Sequence, residues 1–478
     1  SDAIGGIINM LTREPSETAT LGLSLDAGRF GWRRLMIEAD TGEGRWGALR
    51  VGANFTESDG WRDHTSYERQ SVDARWDFTT DSGVRFKTVF ASGRIDQDTG
   101  ANSPLIYEDY RNDPTRNNFP IAYRKVEAMR LSTAIEKEFG DGLLSVTPYL
   151  RDNRMELLAS FSLSSDPTVY VSSNKSYGAL LKWRQDFPDF MRARLIAGFD
   201  VDVSPGEREE DRLDVTVSGS GASRVFSDYR IAGRIYDYDV TFRSYSPYLQ
   251  AEISPIERLR ITAGLRYDAL SYDFENDIAD DVVQGAASAF YGQARDTKID
   301  YDHLSPKIGA TFALDDDMNV YVSYNTGFRA PSESQLFRPS VAPNPEEAIA
   351  KASLALGLKP IEATQIEIGW RGTFDRWSLD LAVFELVKRD DLVSQRDLAT
   401  NVTTSVNAGK TSHRGIEAGI GVELLPSLRL DTALSYARHK YERWVTANAD
   451  FSGNDMEAAP RVLGNTRLSW SPTYDVQA

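Results

Sequence analysis

The sequence predicts an all-β protein, an antiparallel barrel whose strands cross a membrane. Three observations predict it. Short segments alternate apolar and polar residues from end to end, the connections between them are alternately tight and long, and the strands have the length of a hydrocarbon layer. Residues 69–90 show the repeating unit. Gln70, Val72, Ala74, Trp76 and Phe78 fall on one side of an extended segment, and Arg69, Ser71, Asp73, Arg75 and Asp77 on the other. Thr79 to Gly83 make a turn, after which Val84, Phe86, Thr88 and Phe90 alternate with Arg85, Lys87 and Val89. Successive side chains on a strand point to opposite faces, so this is a hairpin with one apolar and one charged flank.

The tight connections fall near 41–45, 79–83, 140–142, 187–191, 254–258, 314–318, 373–376 and 424–427, each rich in Gly, Asp, Ser or Pro. These residues supply the backbone angles and local hydrogen bonds that turns need. Between them, apart from a short first connection near 28–32, lie long ones: 56–68, 91–123, 152–175, 204–240, 271–302, 326–361, 386–414 and 437–461. Roughly eighteen strands result. A soluble sandwich has no reason to keep every second loop short, whereas an outer-membrane barrel has short periplasmic turns and longer extracellular loops. Strands of about 10 tilted residues, at about 3.3 Å each, cross an apolar band of about 25 Å. Residues 193–203 fit this, with Ala193, Leu195, Ala197, Phe199, Val201 and Val203 against Arg194, Gly198, Asp200 and Asp202. The pair 416–424 and 428–436 repeats it, with Ile416, Ala418, Ile420, Val422 and Leu424 facing Leu428, Leu430, Thr432, Leu434 and Tyr436.

Composition agrees. The 478 residues exceed one ordinary domain and suit a large barrel. No run of about 18 apolar residues offers a transmembrane helix. Apolar residues make up 41%, as expected when every second strand residue faces water. Aromatic residues gather near strand ends (Trp76, Phe78, Phe187, Trp370, Phe374, Trp377, Trp470), where interfacial girdles lie. A net charge of −17 argues against nucleic acid as a partner. Cysteine is absent, which fits an oxidising compartment as well as many others. There is no signal peptide and the first residue is Ser, so the chain is expected to be a fragment or processed form of an exported protein.

Five stretches carry a family resemblance. Residues 1–15 (Ser-Asp-Ala-Ile-Gly-Gly-Ile-Ile-Asn-Met-Leu-Thr-Arg-Glu-Pro) resemble the end of the plug domain of TonB-dependent outer-membrane receptors. There, Gly5 and Gly6 would let the backbone approach its neighbours closely. Residues 321–338, with Gly327-Phe-Arg-Ala-Pro331, resemble a barrel segment of that family, and 358–371 resemble the next. Asn407, Gly409 and His413-Arg-Gly-Ile-Glu417 resemble the strand after, and Ala459-Pro460-Arg461 with Asn465 to Trp470 a late one. The resemblance implies a barrel of about 22 strands with a plugged lumen. On that expectation 1–15 is the plug's C-terminal end and 16–478 a transmembrane barrel that lacks its last strands.

The resemblance also implies a function. A ferric siderophore would dock on the extracellular loops and plug, and the inner-membrane TonB complex would then pull on the plug to release it inward. The barrel would be a monomer in outer-membrane lipid and lipopolysaccharide, would do no covalent chemistry, and would need no cofactor or metal of its own. Aromatic and arginine residues of the long loops suit an anionic chelate, because Arg pairs oxygens bidentately and Tyr offers a ring and a hydroxyl. The candidates are Tyr107, Tyr110, Arg111 and Arg116 in one loop, and Arg329, Gln335 and Arg338 in another. Solvated loop charges or residues that fix a strand end would give the same pattern. Phe328-Arg-Ala-Pro331 would end a strand, since Pro cannot donate to the ladder. Haem-receptor members share a Phe-Arg-Ala-Pro box with a ligating His in the following loop. Residues 332–361 hold no His, and the four histidines are His64, His303, His413 and His439, so haem is the weaker substrate. Cobalamin and sugars remain open.

Other chemistry is not supported. Gly409-Lys-Thr411 lacks the upstream Gly of a phosphate loop, where Thr404 stands. Gly419-Ile-Gly421 lies in a strand pattern, and Asp315-Asp-Asp317 lacks the Gly and distal Glu of a calcium loop. No Gly-x-Ser-x-Gly or His-Glu-x-x-His occurs. A passive channel would conduct without a plug, an outer-membrane hydrolase would need a Ser/His/acid set, and a soluble β-rich binder would not need detergent.

Overall fold

The structure, a computed structural model, describes residues 11–100, 104–285, 289–339, 341–396, 403–407, 409–445 and 449–471. The Gly5-Gly6 stretch expected to close a plug lies outside the described residues. The strands are β1 (Ala19–Ala27), β2 (Arg33–Thr41), β3 (Ala48–Ser58), β4 (Tyr67–Thr79), β5 (Arg85–Asp98), β6 (Tyr123–Phe139), β7 (Gly142–Leu158), β8 (Thr168–Phe187), β9 (Ala193–Ser218), β10 (Val225–Ile256), β11 (Leu259–Asn276), β12 (Val282–Gln284), β13 (Phe290–Gly292), β14 (Thr297–Ala313), β15 (Met318–Arg329), β16 (Ile361–Phe374), β17 (Trp377–Arg389), β18 (Leu392–Arg396), β19 (Thr403–Asn407), β20 (Lys410–Leu425), β21 (Leu428–Arg443) and β22 (Val462–Trp470). Eighteen of them form one sheet, and β12–β13 and β18–β19 are small hairpins within long connections. Helices α1 (Tyr107–Asn112), α2 (Glu333–Phe337) and α3 (Pro345–Ala355) also lie in long connections. Every neighbour in the large sheet is antiparallel and sequential, a meander joined by the eight tight turns read from the sequence.

Sidedness follows the alternation. Leu21 and Leu25 are 79% and 74% exposed, and Phe199, Leu249, Leu265, Ile308, Ile368, Val383, Ile420 and Leu434, on the same flank, are exposed as well, though less so. No second protein layer covers this flank among the described residues, as hydrocarbon contact requires. Aromatic residues bound it. At the tight-turn end Trp76 stacks on Phe78 at 5.4 Å and Trp370 meets Phe374 at 6.2 Å. At the long-loop end stand Phe55, Tyr177, Tyr245, Tyr267, Tyr324 and Tyr436, all exposed. The Asp315–Asp317 stretch is an exposed tight turn.

The opposite flank is polar and internally matched. Asp202 accepts from Arg151 Nη2 at 2.6 Å and from the Tyr149 hydroxyl. Arg266 bridges Asp200 at 2.6 Å and Asp268 at 2.8 Å, and Ser246 Oγ donates to Asp268 at 2.7 Å. Tyrosines on this flank lie over glycines directly across the ladder: Tyr248 on Gly198, Tyr149 on Gly178 and Tyr321 on Gly369. A Cβ on these glycines would come within 2.2, 2.5 and 2.3 Å of those tyrosine side chains, so any other residue there would push the ring from its place.

The segment entering the barrel is fastened at the tight-turn end. Buried Arg75 donates from Nη1 to the Thr12 carbonyl at 2.7 Å and pairs with Glu14 at 3.1 Å. The Ser16 amide donates to Asp40 Oδ1 at 3.0 Å, and Asp40 is itself held by Arg50 at 3.0 Å. Arg75→Gln is expected to loosen residues 12–17 by about 1–3 kcal/mol, the cost of losing charge-assisted bonds. Faster hydrogen exchange at the Ser16 amide, with the strands unchanged, is the readout.

The long connections are shorter than the sequence suggested. The 204–240 stretch is mostly hairpin, because β9 continues to Ser218 and β10 begins at Val225. Likewise β5 reaches Asp98, β7 reaches Leu158, β8 starts at Thr168 and β11 runs to Asn276. Above the apolar band charged residues fall on both flanks, as at Glu207 to Arg212 of β9, so the alternation fades while the ladder continues.

Candidate functional site

The long-loop end is roofed by its own chain. The tall β9–β10 hairpin is gripped on both flanks. On the flank that continues the lipid-facing series, Leu213 and Phe226 are buried with Ala122, Leu158 and Leu163. The segment 109–118 is tied to the hairpin tip. Arg116 Nη2 donates to the Ser223 carbonyl at 3.1 Å, Asn118 Nδ2 to the Ala222 carbonyl at 3.2 Å, and the Phe226 amide to the Asn118 carbonyl at 2.9 Å. Asp109 of α1 accepts from Ser223 Oγ at 3.1 Å and pairs with Arg116 at 3.2 Å.

On the lumen-facing flank, Tyr236 and Tyr238 join Tyr272, Phe274, Leu336 and Phe337 in a buried aromatic cluster, with Phe274 stacked on Phe337 at 4.1 Å. Folding of the 330–360 loop brings α2 here. Its start is fixed by a capping box, in which Ser332 Oγ accepts from the Gln335 amide and Gln335 Oε1 from the Ser332 amide. Asn344 caps α3, with Pro345 in the first turn.

A charged shelf sits against this cluster. Glu210 accepts from Arg208 Nη2 at 2.6 Å and pairs with Arg338 Nη2 at 3.1 Å. The Arg208 guanidinium lies 3.5 Å over the Tyr170 ring, and that of Arg338 lies 5.8 Å from the Tyr236 ring centre. Both Nε atoms are buried and have no acceptor among the described residues. Two guanidiniums thus share one carboxylate and keep donors in reserve, an arrangement suited to an anionic oxygen.

Asp166, in the 159–167 loop, accepts from the Tyr291 hydroxyl through Oδ2, while its buried Oδ1 has no partner among the described residues. Burial, and secondly the nearby Glu210 carboxylate, raise its pKa. A carboxyl with a raised folded pKa holds its proton more tightly folded than unfolded. Its stabilising contribution is full below the ordinary value of about 3.9 and is lost as pH rises through the folded value. The roof is therefore expected to loosen as pH rises from about 4 toward neutrality. Asp166→Asn should flatten that dependence in hydrogen exchange of residues 159–167.

The seven residues singled out from the sequence divide. Tyr107 (76% exposed), Tyr110 and Arg111 lie free on the outer surface of α1. Arg329 is exposed at the end of β15, where Pro331 is buried and its carbonyl accepts from the Tyr272 hydroxyl at 3.1 Å. Arg116 and Gln335 hold the roof together through the bonds described. Arg338 alone joins the shelf. Arg208, Glu210, Asp166, Tyr170 and Tyr236 have no signature in the sequence, because only folding brings them together. His303 stacks on Phe328 at 4.7 Å beneath the roof.

The family model described as "TonB dependent receptor-like, beta-barrel" matches residues 15–477. The ferric aerobactin receptor of Klebsiella pneumoniae is 20% identical over 335 residues, 65% of this chain and 44% of that protein. The rhizobactin receptor of Rhizobium meliloti (strain 1021) is 22% identical over 281 residues, 56% of this chain and 36% of that protein. The alignments thus span less than half the length of these relatives. Among solved structures, the ferric citrate transporter FecA superposes with a TM-score of 0.73 at 15% identity, covering 98% of this chain and 66% of that one. The siderophore receptor PiuA from Acinetobacter baumannii gives 0.71 at 16% identity, covering 98% and 72%. With its meander of membrane-spanning strands, polar lumen and roofed mouth, the chain belongs to the β-barrels of the TonB-dependent receptors and is an outer-membrane protein.

Proposed function

We propose that this barrel is the wall and mouth of a receptor that takes up a ferric siderophore by work delivered through TonB. The observation that carries the reading is the shelf in which Arg208 and Arg338 share Glu210 with two unmet Nε donors. Ferric chelates present oxygen anions around a compact centre, and charge-assisted donors shielded from water bind such oxygens strongly. The names of two relatives, receptors for ferric aerobactin and rhizobactin, support the same class. The outer membrane has no ATP, so a scarce solute must be bound tightly outside and released by force from the inner membrane. In this reading Tyr107, Tyr110, Arg111 and Arg329 make first contact, and Arg338 and Arg208 take the chelate's charge. Residues 1–15 link the wall to the plug on which the TonB complex pulls. The wall sits as a monomer, with lipid and lipopolysaccharide against its exposed apolar flank.

The test is a titration of the complete gene product in detergent with ferric siderophores, haem and cobalamin, read by tryptophan quenching. Tight binding of an anionic ferric chelate, weakened in Arg338→Gln, is the expected result. Tight binding of haem or cobalamin with none of any ferric chelate overturns the assignment.

A further inference from the structure

At the long-loop end of the lumen, well round the wall from the shelf, β20 and β21 set His413 directly opposite His439. Their Nδ1 atoms are 2.8 Å apart, with ring centroids at 5.1 Å and planes inclined by 59°. Two neutral imidazoles make this contact only by sharing one proton, one ring donating and the other accepting. The wall's packing does not call for such a pair. Their lumen-side neighbours along the two strands are Gly415 with Ala437 and Thr411 with Tyr441, small or singly bonded residues. The pair also leaves His413 Nε2 buried and without a partner among the described residues, which costs stability that a Thr or Val pair would keep.

We propose that His413 and His439 form a two-nitrogen site for a divalent transition cation of the kind that prefers imidazole, Cu2+ or Ni2+ ahead of Zn2+. The cation would replace the shared proton. Metal–nitrogen bonds of about 2.0–2.1 Å place two adjacent donors of a square-planar ion about 2.8–3.0 Å apart, and two donors of a tetrahedral ion about 3.3 Å apart. The observed 2.8 Å separation meets the first value, and the rings would turn out of their present proton-sharing contact to aim both lone pairs at one ion. The ladder fixes both backbones beforehand, so little ordering accompanies binding. The nearby cation opposes a bound ion only in part, because Lys388 is paired with Asp391 at 2.5 Å and Thr411 Oγ1 donates to the same carboxylate at 3.0 Å. Among the described residues no group of three or more His, Cys, Asp or Glu is placed to hold a metal. Water from the lumen therefore completes the coordination, and the site takes a loosely held ion and not a tightly caged one. This inference stands apart from the siderophore reading, since neither its residues nor its ligand enters that argument.

The complete gene product in detergent, titrated with copper(II) sulfate, tests it by electron paramagnetic resonance. One equivalent of Cu2+ with splitting from two nitrogens is expected. His439→Gln should reduce the splitting to one nitrogen and weaken binding at least about tenfold, while His303→Gln leaves both unchanged. A wild-type spectrum without a two-nitrogen species overturns the proposal, as does unchanged binding in the His413→Gln/His439→Gln double variant. The wild-type spectrum decides alone should a variant fail to fold. Loss of siderophore binding with the copper spectrum intact would count against the uptake reading only.

Discussion

Replacing Glu210 with leucine is expected to release the roof of the barrel while the wall stays folded. Glu210 is nearly buried and is the carboxylate shared by Arg208 and Arg338. Removing one member of a buried ion pair costs about 3–5 kcal/mol, because the charge left behind has neither water nor partner. Here two guanidiniums would be stranded, so the upper part of that range applies. Arg338 would lose its hold on β9, and with it α2 would lose its place against Phe274. Hydrogen exchange should rise sharply across 205–240 and 330–338, with no change in β2 to β7, and affinity for any anionic ligand should fall as its site comes apart. Glu210→Gln keeps an acceptor and removes the charge, so it should cost less, about 1–3 kcal/mol. Equal behaviour of the two variants would show that the shelf does not hold the roof.

The second large effect belongs to the outer flank. Ile368 on β16 is 59% exposed, and its ladder partners Val322 and Val383 share its flank and are exposed too. In water such a row would be a defect; in lipid it is a match. Arginine at this position is expected to destabilise the barrel by about 2–4 kcal/mol near the bilayer midplane, and less toward either interface. Glu367 is adjacent in sequence yet faces the lumen, where it accepts from the Tyr321 hydroxyl at 2.7 Å. Glu367→Gln should cost no more than about 1 kcal/mol, since an acceptor remains. Urea titration of refolding into lipid vesicles measures both, and the contrast between neighbours reports sidedness directly.

Much of the wall was legible because lipid and water impose a strict period of two. The hairpins at 69–90 and 416–436 could be read residue by residue, and the tight turns were marked by Gly, Asp and Pro. The mouth was less legible. Above the membrane β9 carries charged residues on both flanks and the loops that cover them are distant in sequence, so Glu207 to Arg212 read as loop although they sit in a ladder. Two helices carry local signals. Ser332 followed three residues later by Gln335 is a capping pattern, and Asn344-Pro-Glu-Glu347 is a helix start. The first assigns Gln335 to a cap and not to a ligand. The shelf had no local signature at all, since Arg208 and Arg338 are 130 positions apart in the chain.

The tyrosines that cover glycines across the ladder bear on how the strands find their alignment. A slip of one residue is forbidden by solvent, because it would turn every leucine inward. A slip of two keeps each side chain on its proper flank, and the membrane cannot tell it from the native pairing. The rings can. Displaced by two, Tyr248 would meet Ile196 or Asp200 in place of Gly198, and Tyr321 would meet Glu367 or Arg371 in place of Gly369. Each ring then strikes a side chain where it had a socket. The glycines act as detents that reject the one misalignment a bilayer would accept.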